Sequence, residues 1–341
     1  MKTALPPFGY TPEKLLRELT PFYISSSDQE ISEMLKFLKI QSTDELFNHI
    51  PEEIRFNPNE LNLEHHLEYN QLAEYIFSLS EKNQIKTSFL GDGLRNLKVE
   101  PIVPYVCGIR GLTTAYTPYQ PERSQGTLMT LWMYASCLSE ITGFEAINAS
   151  LYDRSTALYE AIQCARRIND KNLTLILSSI YPGDIEVLKT HAASTSGELL
   201  FVPYNPTTGK TDLSELRKVI EQHKEKISAV AFPQVSNLGV IEEFDAITDL
   251  CEEYNLTTIG IIDPINLAEG GLAKPSFWGT KKSGVSMIVG EGQHLAIAPN
   301  FGGPGLVFLV FAITKKIKTQ FDLVRVVLLE TLMTLIITTV K

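Results

Sequence analysis

The chain has 341 residues, of which 44% are hydrophobic and 21% charged, an ordinary composition for a soluble globular protein of one large or two smaller domains. Its formal net charge of −10 argues against nucleic acid or an anionic membrane surface as the main partner, because both bind basic faces. The four cysteines lie far apart and the six histidines show no metal-binding spacing, so we expect reduced core thiols in a cytoplasmic protein without a metal site.

The sequence of residues 1–88 predicts an N-terminal arm followed by a helical segment. No basic stretch followed by an apolar run opens the chain, so we expect no signal peptide. The sequences of Ser27–Glu30 and Ser42–Glu45 each have the spacing of a capping box, in which a serine and a glutamate three residues later satisfy the first backbone N–H groups of a helix. Two short helices should therefore begin here, the second ending near Pro51.

The segment Thr113–Glu122 combines threonines, tyrosines and a glutamine with two prolines. Pro118 and Pro121 fix their own φ angles and favour extended geometry in the preceding residues, which predicts a stiff loop. A helix should follow over residues 122–142 and end at Gly143, because its apolar residues recur at spacings of three and four. The loop either presents polar groups to a ligand or partner, or packs as an aromatic loop on its own domain.

In residues 89–312, strand-like and helix-like segments alternate, the pattern of a sheet that is covered by helices on both faces. A helix over 155–168 precedes short apolar runs at Leu173–Leu177, Leu199–Val202, Ser228–Phe232, Thr257–Ile262 and Val285–Val289. Amphipathic segments separate these runs, at 184–192, 212–224 and 243–254. These runs contain β-branched residues and do not alternate between apolar and polar residues. Such runs, separated by helices, predict a three-layer α/β/α domain with a mostly parallel sheet.

Several motifs occur in one order along residues 24–306, and together they resemble the glycine decarboxylase P-protein family. They are DELFNHIPEEIRF (44–56), FLGDG (89–93), TAYTPYQPERSQG (114–126), NASLYDRSTAL (148–158), NLGVIEEFD (237–245), VGEGQ (289–293) and FGGPG (301–305). The resemblance is to the N-terminal, or alpha, subunit of the two-subunit form. It implies the aspartate-aminotransferase fold, fold type I of the pyridoxal phosphate (PLP) enzymes, for the large domain.

The resemblance also implies a degenerate cofactor site. Ser155 and Thr156 begin a helix at the position where such enzymes hold the cofactor phosphate on helix N–H groups. Asp263 follows a strand at the position that pairs with the pyridinium nitrogen, although an aspartate there is by itself more often a turn or cap residue. Gln293 falls where the imine-forming lysine is expected, and a glutamine forms no imine. The chain should therefore not bind PLP covalently, and a beta subunit should hold the cofactor.

By resemblance, the complete enzyme decarboxylates glycine and transfers the aminomethyl group to the lipoyl arm of the H-protein. We expect this chain to complete the site of its beta-subunit partner. The substrate or partner site would lie on the loop, at Thr114, Tyr116, Thr117, Tyr119 and Gln120. Two alternatives stay open: a purely structural pseudo-enzyme subunit, and an inactive fragment of a disrupted gene.

Three features depart from the family pattern. Arg154 stands where a glycine is usual, which puts a cation at the former phosphate cup, and Asp92 stands where a small residue is usual. Residues 313–341 form an atypical tail in place of the family's C-terminal domain, which suggests a frame shift near residue 310 or a truncation. The tail includes an apolar stretch, but Arg325 and Glu330 within it argue against a membrane span.

Overall fold

The computed structural model describes residues 26–55, 67–84, 86–87, 89, 98–298 and 305–311. The opening arm, Asp92 and the tail after residue 311 lie outside the described residues. The chain divides into two compact units, Met1–Lys86 and Thr87–Lys341.

The described part of the first unit is helical. Helices α1 (Asp28–Leu38) and α2 (Tyr69–Ser80) flank two short 3₁₀ helices, Thr43–Phe47 and Glu52–Ile54. The capping box predicted at the start of α1 is present, since Ser27 and Glu30 bond reciprocally. The box predicted at Ser42 is wrong: the Ser42 side chain makes no cap bond, because the Glu45 carboxylate reaches back to the backbone N–H of Gln41 at 2.6 Å instead.

The second unit is built around a seven-stranded sheet in its described part, in the order β1-β7-β6-β5-β4-β2-β3. The strands are β1 (Ala146–Ile147), β2 (Leu173–Leu177), β3 (Glu198–Val202), β4 (Ile227–Pro233), β5 (Thr258–Ile262), β6 (Met287–Glu291) and β7 (Val307–Phe311). The helices are α3 (Ile102–Cys107), α4 (Gln125–Thr142), α5 (Arg154–Asn169), α6 (Pro182–Ala193), α7 (Leu213–His223) and α8 (Phe244–Glu253).

Helices cover both faces of the sheet. Successive side chains of a strand point to opposite faces, and β2 shows the result: Leu175 and Leu177 lie in one hydrophobic cluster with residues of α4, α7 and α8, whereas Ile176 lies in a second with residues of α5 and α6. All five residues of β2 are buried. Burying each such side chain contributes roughly 1.5–3 kcal/mol, so the two clusters are the main source of the domain's stability.

The predicted mostly parallel α/β fold is confirmed, with two additions. The five predicted strands pair in parallel, but β7 runs antiparallel to β6 and pairs with β1. The strand β1 has only two residues, too few to show a period, and β7 follows a glycine-rich motif that we interpreted only as a family signature. The helix predicted over residues 122–142 begins at Gln125, three residues after its predicted start. The residues before it form two turns, in which the backbone N–H groups of Arg123 and Ser124 donate to the carbonyls of Gln120 and Pro121.

The cysteines are free, but only two belong to the core. Cys164 and Cys251 are buried, and burial raises the pKa of the Cys251 thiol to about 12. Cys107 and Cys137 are exposed, so the expectation of core thiols is wrong for these two. They lie on faces of α3 and α4 that the rest of the described chain does not cover.

Candidate functional site

Residues 113–124, here called the tyrosine loop, are held together by hydrogen bonds from one buried hydroxyl group. Ser124 is fully buried, and its Oγ lies 3.0 Å from the carbonyl oxygen of Thr117 and 2.8 Å from that of Gln120. One serine thus joins two backbone carbonyls across a proline-containing turn. Thr117 and Gln120, both predicted site residues, are held by their backbones, which leaves their side chains available.

The tyrosine loop is also fastened to α4. Thr114 Oγ1 accepts hydrogen bonds from the backbone N–H groups of Gly126 (3.1 Å) and Thr127 (3.3 Å). It therefore satisfies donors of the first helical turn, which otherwise lack partners within the helix. Thr130 Oγ1 donates to the carbonyl of Leu112 at 2.9 Å. A Cβ at Gly126 would lie 1.8 Å from the carbonyl oxygen of Gly111, so only glycine permits this close approach.

The two tyrosine rings point away from this framework. Tyr116 is fully exposed and Tyr119 is 88% exposed. The alternative of an aromatic loop packed on its own domain is therefore wrong for these two rings. Three large side chains on the adjacent helix are about half exposed, which extends the apolar surface: Met129, Trp132 and Met133.

The start of α5 lies at the carboxyl edge of the sheet, where the sequence predicted a phosphate cup. Asp153 Oδ1 accepts the backbone N–H of Thr156 at 2.8 Å, and the Thr156 hydroxyl lies 3.3 Å from the backbone N–H of Asp153. Ser155 Oγ donates to Asp184 at 2.6 Å. Arg154 holds the same carboxylate through two bonds of 2.8 and 3.1 Å, with its guanidinium 4.4 Å from the centre of the Tyr181 ring.

Asp263 is placed at the same edge, after β5. Its Oδ1 accepts the backbone N–H of Ile265 at 3.1 Å, the cap interaction that a strand-terminal aspartate often makes. It also lies 3.0 Å from Nε2 of His294, and both side chains are about nine-tenths buried. Gln293 and His294 form a short 3₁₀ helix directly after β6, which neighbours β5.

Glu291 connects these groups. Burial raises the pKa of the Glu291 carboxyl, whereas the backbone N–H of Gln293 and the charges of Arg154 and His294 partly oppose that rise. The Cβ position of Gly305 is 3.4 Å from Gln293 Oε1 and 3.9 Å from Glu291 Oε1. The residues after β5 and β6, the start of α5 and the chain before β7 therefore share one edge.

These residues do not fit a PLP molecule. The cofactor's phosphate is an anion that needs N–H, hydroxyl or cationic donors, yet Ser155 and Arg154 donate to Asp184. The pyridinium nitrogen needs a carboxylate, yet Asp263 contacts His294. No lysine occurs between Lys282 and Lys315 to form the imine.

The sequence identified more than half of the residues at this edge. Ser155, Thr156, Asp263 and Gln293 are brought together as expected, but Asp184, Glu291 and His294 were missed. The signal for Asp184 was Arg154 itself: an arginine in a confined cup requires a counter-ion. The hydrogen bonds described for the tyrosine loop run within the loop and to α4, and none of these bonds joins the loop to the carboxyl edge. Among the described residues, no group of three His, Cys, Asp or Glu side chains could hold a metal ion.

The architecture is that of PLP-fold α/β proteins. The crystal structure of Oryza sativa TDC with PLP superposes with a TM-score of 0.55 at 10% identity, over 89% of this chain and 68% of that chain. At such low identity the similarity shows the fold alone.

Three further comparisons define the family. Residues 21–325 match the family model described as glycine cleavage system P-protein. A probable glycine dehydrogenase (decarboxylating) subunit 1 of Aquifex aeolicus is 32% identical over 295 residues, which are 86% of this chain and 64% of that protein. The crystal structure of glycine decarboxylase (P-protein) of the glycine cleavage system, in inhibitor-bound form, gives a TM-score of 0.72 at 30% identity, over 85% of this chain and 63% of that chain.

The chain belongs to the glycine cleavage system P-protein family. It spans about two thirds of the length of the relatives that it matches. None of the helices in the described part of the chain is long and apolar enough to cross a membrane.

Proposed function

We propose that this chain is the subunit of a glycine decarboxylase that does not anchor PLP, and that its tyrosine loop completes the active site of a PLP-bearing beta subunit. The whole enzyme would decarboxylate glycine and transfer the aminomethyl group to the lipoyl arm of the H-protein, in the cytoplasm. When bound to the beta subunit, PLP supplies the electron sink for the decarboxylation.

The exposure of Tyr116 and Tyr119 on a firmly tied loop carries this proposal. Seven hydrogen bonds, donated or accepted by the hydroxyl groups of Thr114, Ser124, Thr127 and Thr130, fix the loop's backbone or its junction with α4. Loops that bind ligands are commonly held on rigid scaffolds in this way. Since the rings add little to the chain's own core, their orientation favours contact with another molecule.

Each loop residue has a distinct part in this proposal. Thr114 positions the loop by capping α4. The phenol groups of Tyr116 and Tyr119 can donate and accept hydrogen bonds, so they orient the glycine carboxylate or move a proton at its amino group. Thr117 and Gln120 line the same turn and add a hydroxyl and an amide to the polar surface. The rings also exclude water from the partner's site.

The test is reconstitution of this chain with a lysine-bearing beta subunit and lipoylated H-protein. We expect a stable complex at micromolar concentration, with an interface on the order of 2,000 Å² of buried surface or more. Exchange of labelled bicarbonate into the glycine carboxyl group measures the activity. In the complex, Tyr116→Phe and Tyr119→Phe should each lower turnover by about 10²–10⁴-fold, with thermal stability unchanged because neither hydroxyl is buried.

Tyr75→Phe is the matched control, since Tyr75 is also exposed but lies on α2, in the first unit. A complex that forms and keeps full turnover with both loop tyrosines changed would support the purely structural alternative. Failure of the two subunits to associate would contradict the proposal and favour an inactive fragment.

A further inference from the structure

Several donors at the start of α5 that could bind a phosphate are bonded to the chain's own groups. Ser155 Oγ and two of the three guanidinium nitrogens of Arg154, Nε and Nη2, donate to Asp184, and the backbone N–H of Thr156 donates to Asp153. Asp184 is only 3% exposed although it is ionisable. A carboxylate so deeply buried needs compensating donors, and here it has three.

The geometry at Asp184 is that of a bound anion. Arginine binds carboxylate and phosphate oxygens through the same paired N–H groups, and serine hydroxyls donate to either. The Arg154 guanidinium also contacts the Tyr181 ring, at 4.4 Å from the ring centre. The carboxylate therefore has the polar environment that a phosphate group would require.

The local charge also opposes an external anion. Three further carboxylates surround the edge, at Asp153, Asp263 and Glu291, against the cations Arg154 and, when protonated, His294. A phosphate dianion entering beside Asp184 would face repulsion in a region of low dielectric, where charge interactions are strong.

We infer that Asp184 is a resident anion that occupies the former phosphate cup, and that it excludes phosphate esters, PLP included, from this chain even without covalent bonding. His294 acts in parallel by engaging Asp263, the carboxylate that would recognise a pyridinium nitrogen. The inference deepens the proposed function and rests on it: Gln293 prevents the imine, whereas Asp184 prevents the non-covalent complex.

The test measures ligand binding by the purified full chain. The probes are inorganic phosphate and 4-deoxypyridoxine 5′-phosphate, which lacks the aldehyde and so cannot react with surface lysines. We expect neither to bind the wild-type chain in calorimetry or to raise its Tm. Asp184→Asn keeps the size and hydrogen-bonding capacity of the side chain but removes the charge, and frees Arg154 to bind an anion. Its affinity for both probes should rise at least about tenfold above the wild-type limit, with a ligand-dependent rise in Tm.

Glu186→Gln is the matched control, because it removes the same charge from the exposed face of the same helix, α6; it should bind neither probe. Asp184→Ser carries the same expectation as Asp184→Asn if the asparagine variant does not fold. Saturable binding of either probe to the wild-type chain overturns the inference, as does a folded Asp184 variant without gained affinity. These results are independent of complex formation and glycine exchange, so failure of the inference and failure of the proposed function are distinguishable.

Discussion

The tyrosine loop and the carboxyl edge of the sheet use similar groups in opposite ways. In the loop, hydroxyl groups, among them the buried one of Ser124, hold the backbone, and the tyrosine side chains face solvent. At the carboxyl edge, charged side chains that could meet a ligand are bound to one another, as Asp184 is to Arg154 and Asp263 is to His294. The edge has the polar side chains of a binding site, but those side chains are bonded to one another.

This difference suggests where binding capacity lies in the chain. A fold-type I domain ordinarily binds its ligand beyond the carboxyl ends of its strands. Here polar groups of that region are bonded to one another, whereas the aromatic loop at the start of α4 exposes its tyrosine rings to solvent. Four changes would break or sharpen the contrast.

The largest expected effect follows from Gly126→Ala. The new Cβ would lie 1.8 Å from the Gly111 carbonyl oxygen and 2.8 Å from Thr114 Cγ2, so the loop must shift from α4. We expect a loss of about 1–3 kcal/mol in the free energy of unfolding and, in the reconstituted complex, a fall in exchange activity of about 10²-fold. Urea denaturation and the bicarbonate exchange assay measure the two effects.

Gly111→Ala is the control, because a Cβ there meets nothing within 4 Å. It should change stability by no more than about 0.5 kcal/mol. Equal losses in the two variants would show that the close approach at Gly126 does not position the loop.

The second change tests the carboxyl edge. Asp184→Ala leaves the Arg154 guanidinium without its counter-ion, in a side chain that is 21% exposed. Removing one partner of a buried ion pair costs roughly 3–5 kcal/mol, and the partial exposure of Arg154 reduces the expectation to about 2 kcal/mol. Glu186→Ala breaks an exposed pair on the same helix and should cost less than about 0.5 kcal/mol. Equal midpoints of urea unfolding for the two variants would contradict the assignment.

The third change separates positioning from contact in the loop. Thr114→Val removes the oxygen that accepts from Gly126 and Thr127, and should cost about 1 kcal/mol, as loss of a helix cap does. Thr113→Val changes the exposed neighbouring threonine and should leave the unfolding free energy nearly unchanged. If Thr114→Val leaves stability unaltered, the cap at the start of α4 is energetically unimportant.

The smallest effect concerns Glu291 and pH. Because burial raises the pKa of the Glu291 carboxyl in the folded chain above its ordinary value of 4.5, the folded state binds its proton more tightly than the unfolded state does. The stabilisation is present below pH 4.5 and is lost as the pH rises through the folded pKa. Glu291→Gln should flatten this part of the curve of stability against pH. Thermal unfolding at a series of pH values measures that curve. A wild-type curve that rises across the same window faster than the variant's would contradict the sign.

The fold was largely predictable because its signals are local. The runs that became β2, β4 and β5 are mostly apolar, with one hydroxyl residue each, and do not alternate with charged residues, as a sheet buried on both faces requires. The edge strand β1 was not predictable, since two residues carry no periodicity and its pairing with β7 joins segments far apart in the chain. The same holds for the capping box expected at Ser42, where a competing bond to Gln41 decided the geometry.

The site was predictable by position but not by pairing. Motif order located Ser155, Thr156, Asp263 and Gln293, yet Asp184 is contributed by another helix, 30 residues from its partner Arg154. Thr114 illustrates the reverse case, since the sequence suggested a ligand-binding hydroxyl and the structure uses that hydroxyl to cap a helix. Long-range partners depend on the tertiary fold, so local patterns do not reveal them.

The ends of the sheet limit how the protein can associate with other chains. Among the strands of the described residues, one end is β1, whose two residues offer almost no backbone for a further strand, and the other is β3, which begins at an exposed glutamate and is followed directly by Pro203. Short strands, charges and prolines at an edge oppose strand addition. Growth of the sheet from one molecule into the next is thereby disfavoured, which protects the chain against edge-to-edge aggregation and leaves helix and loop surfaces to select its partners.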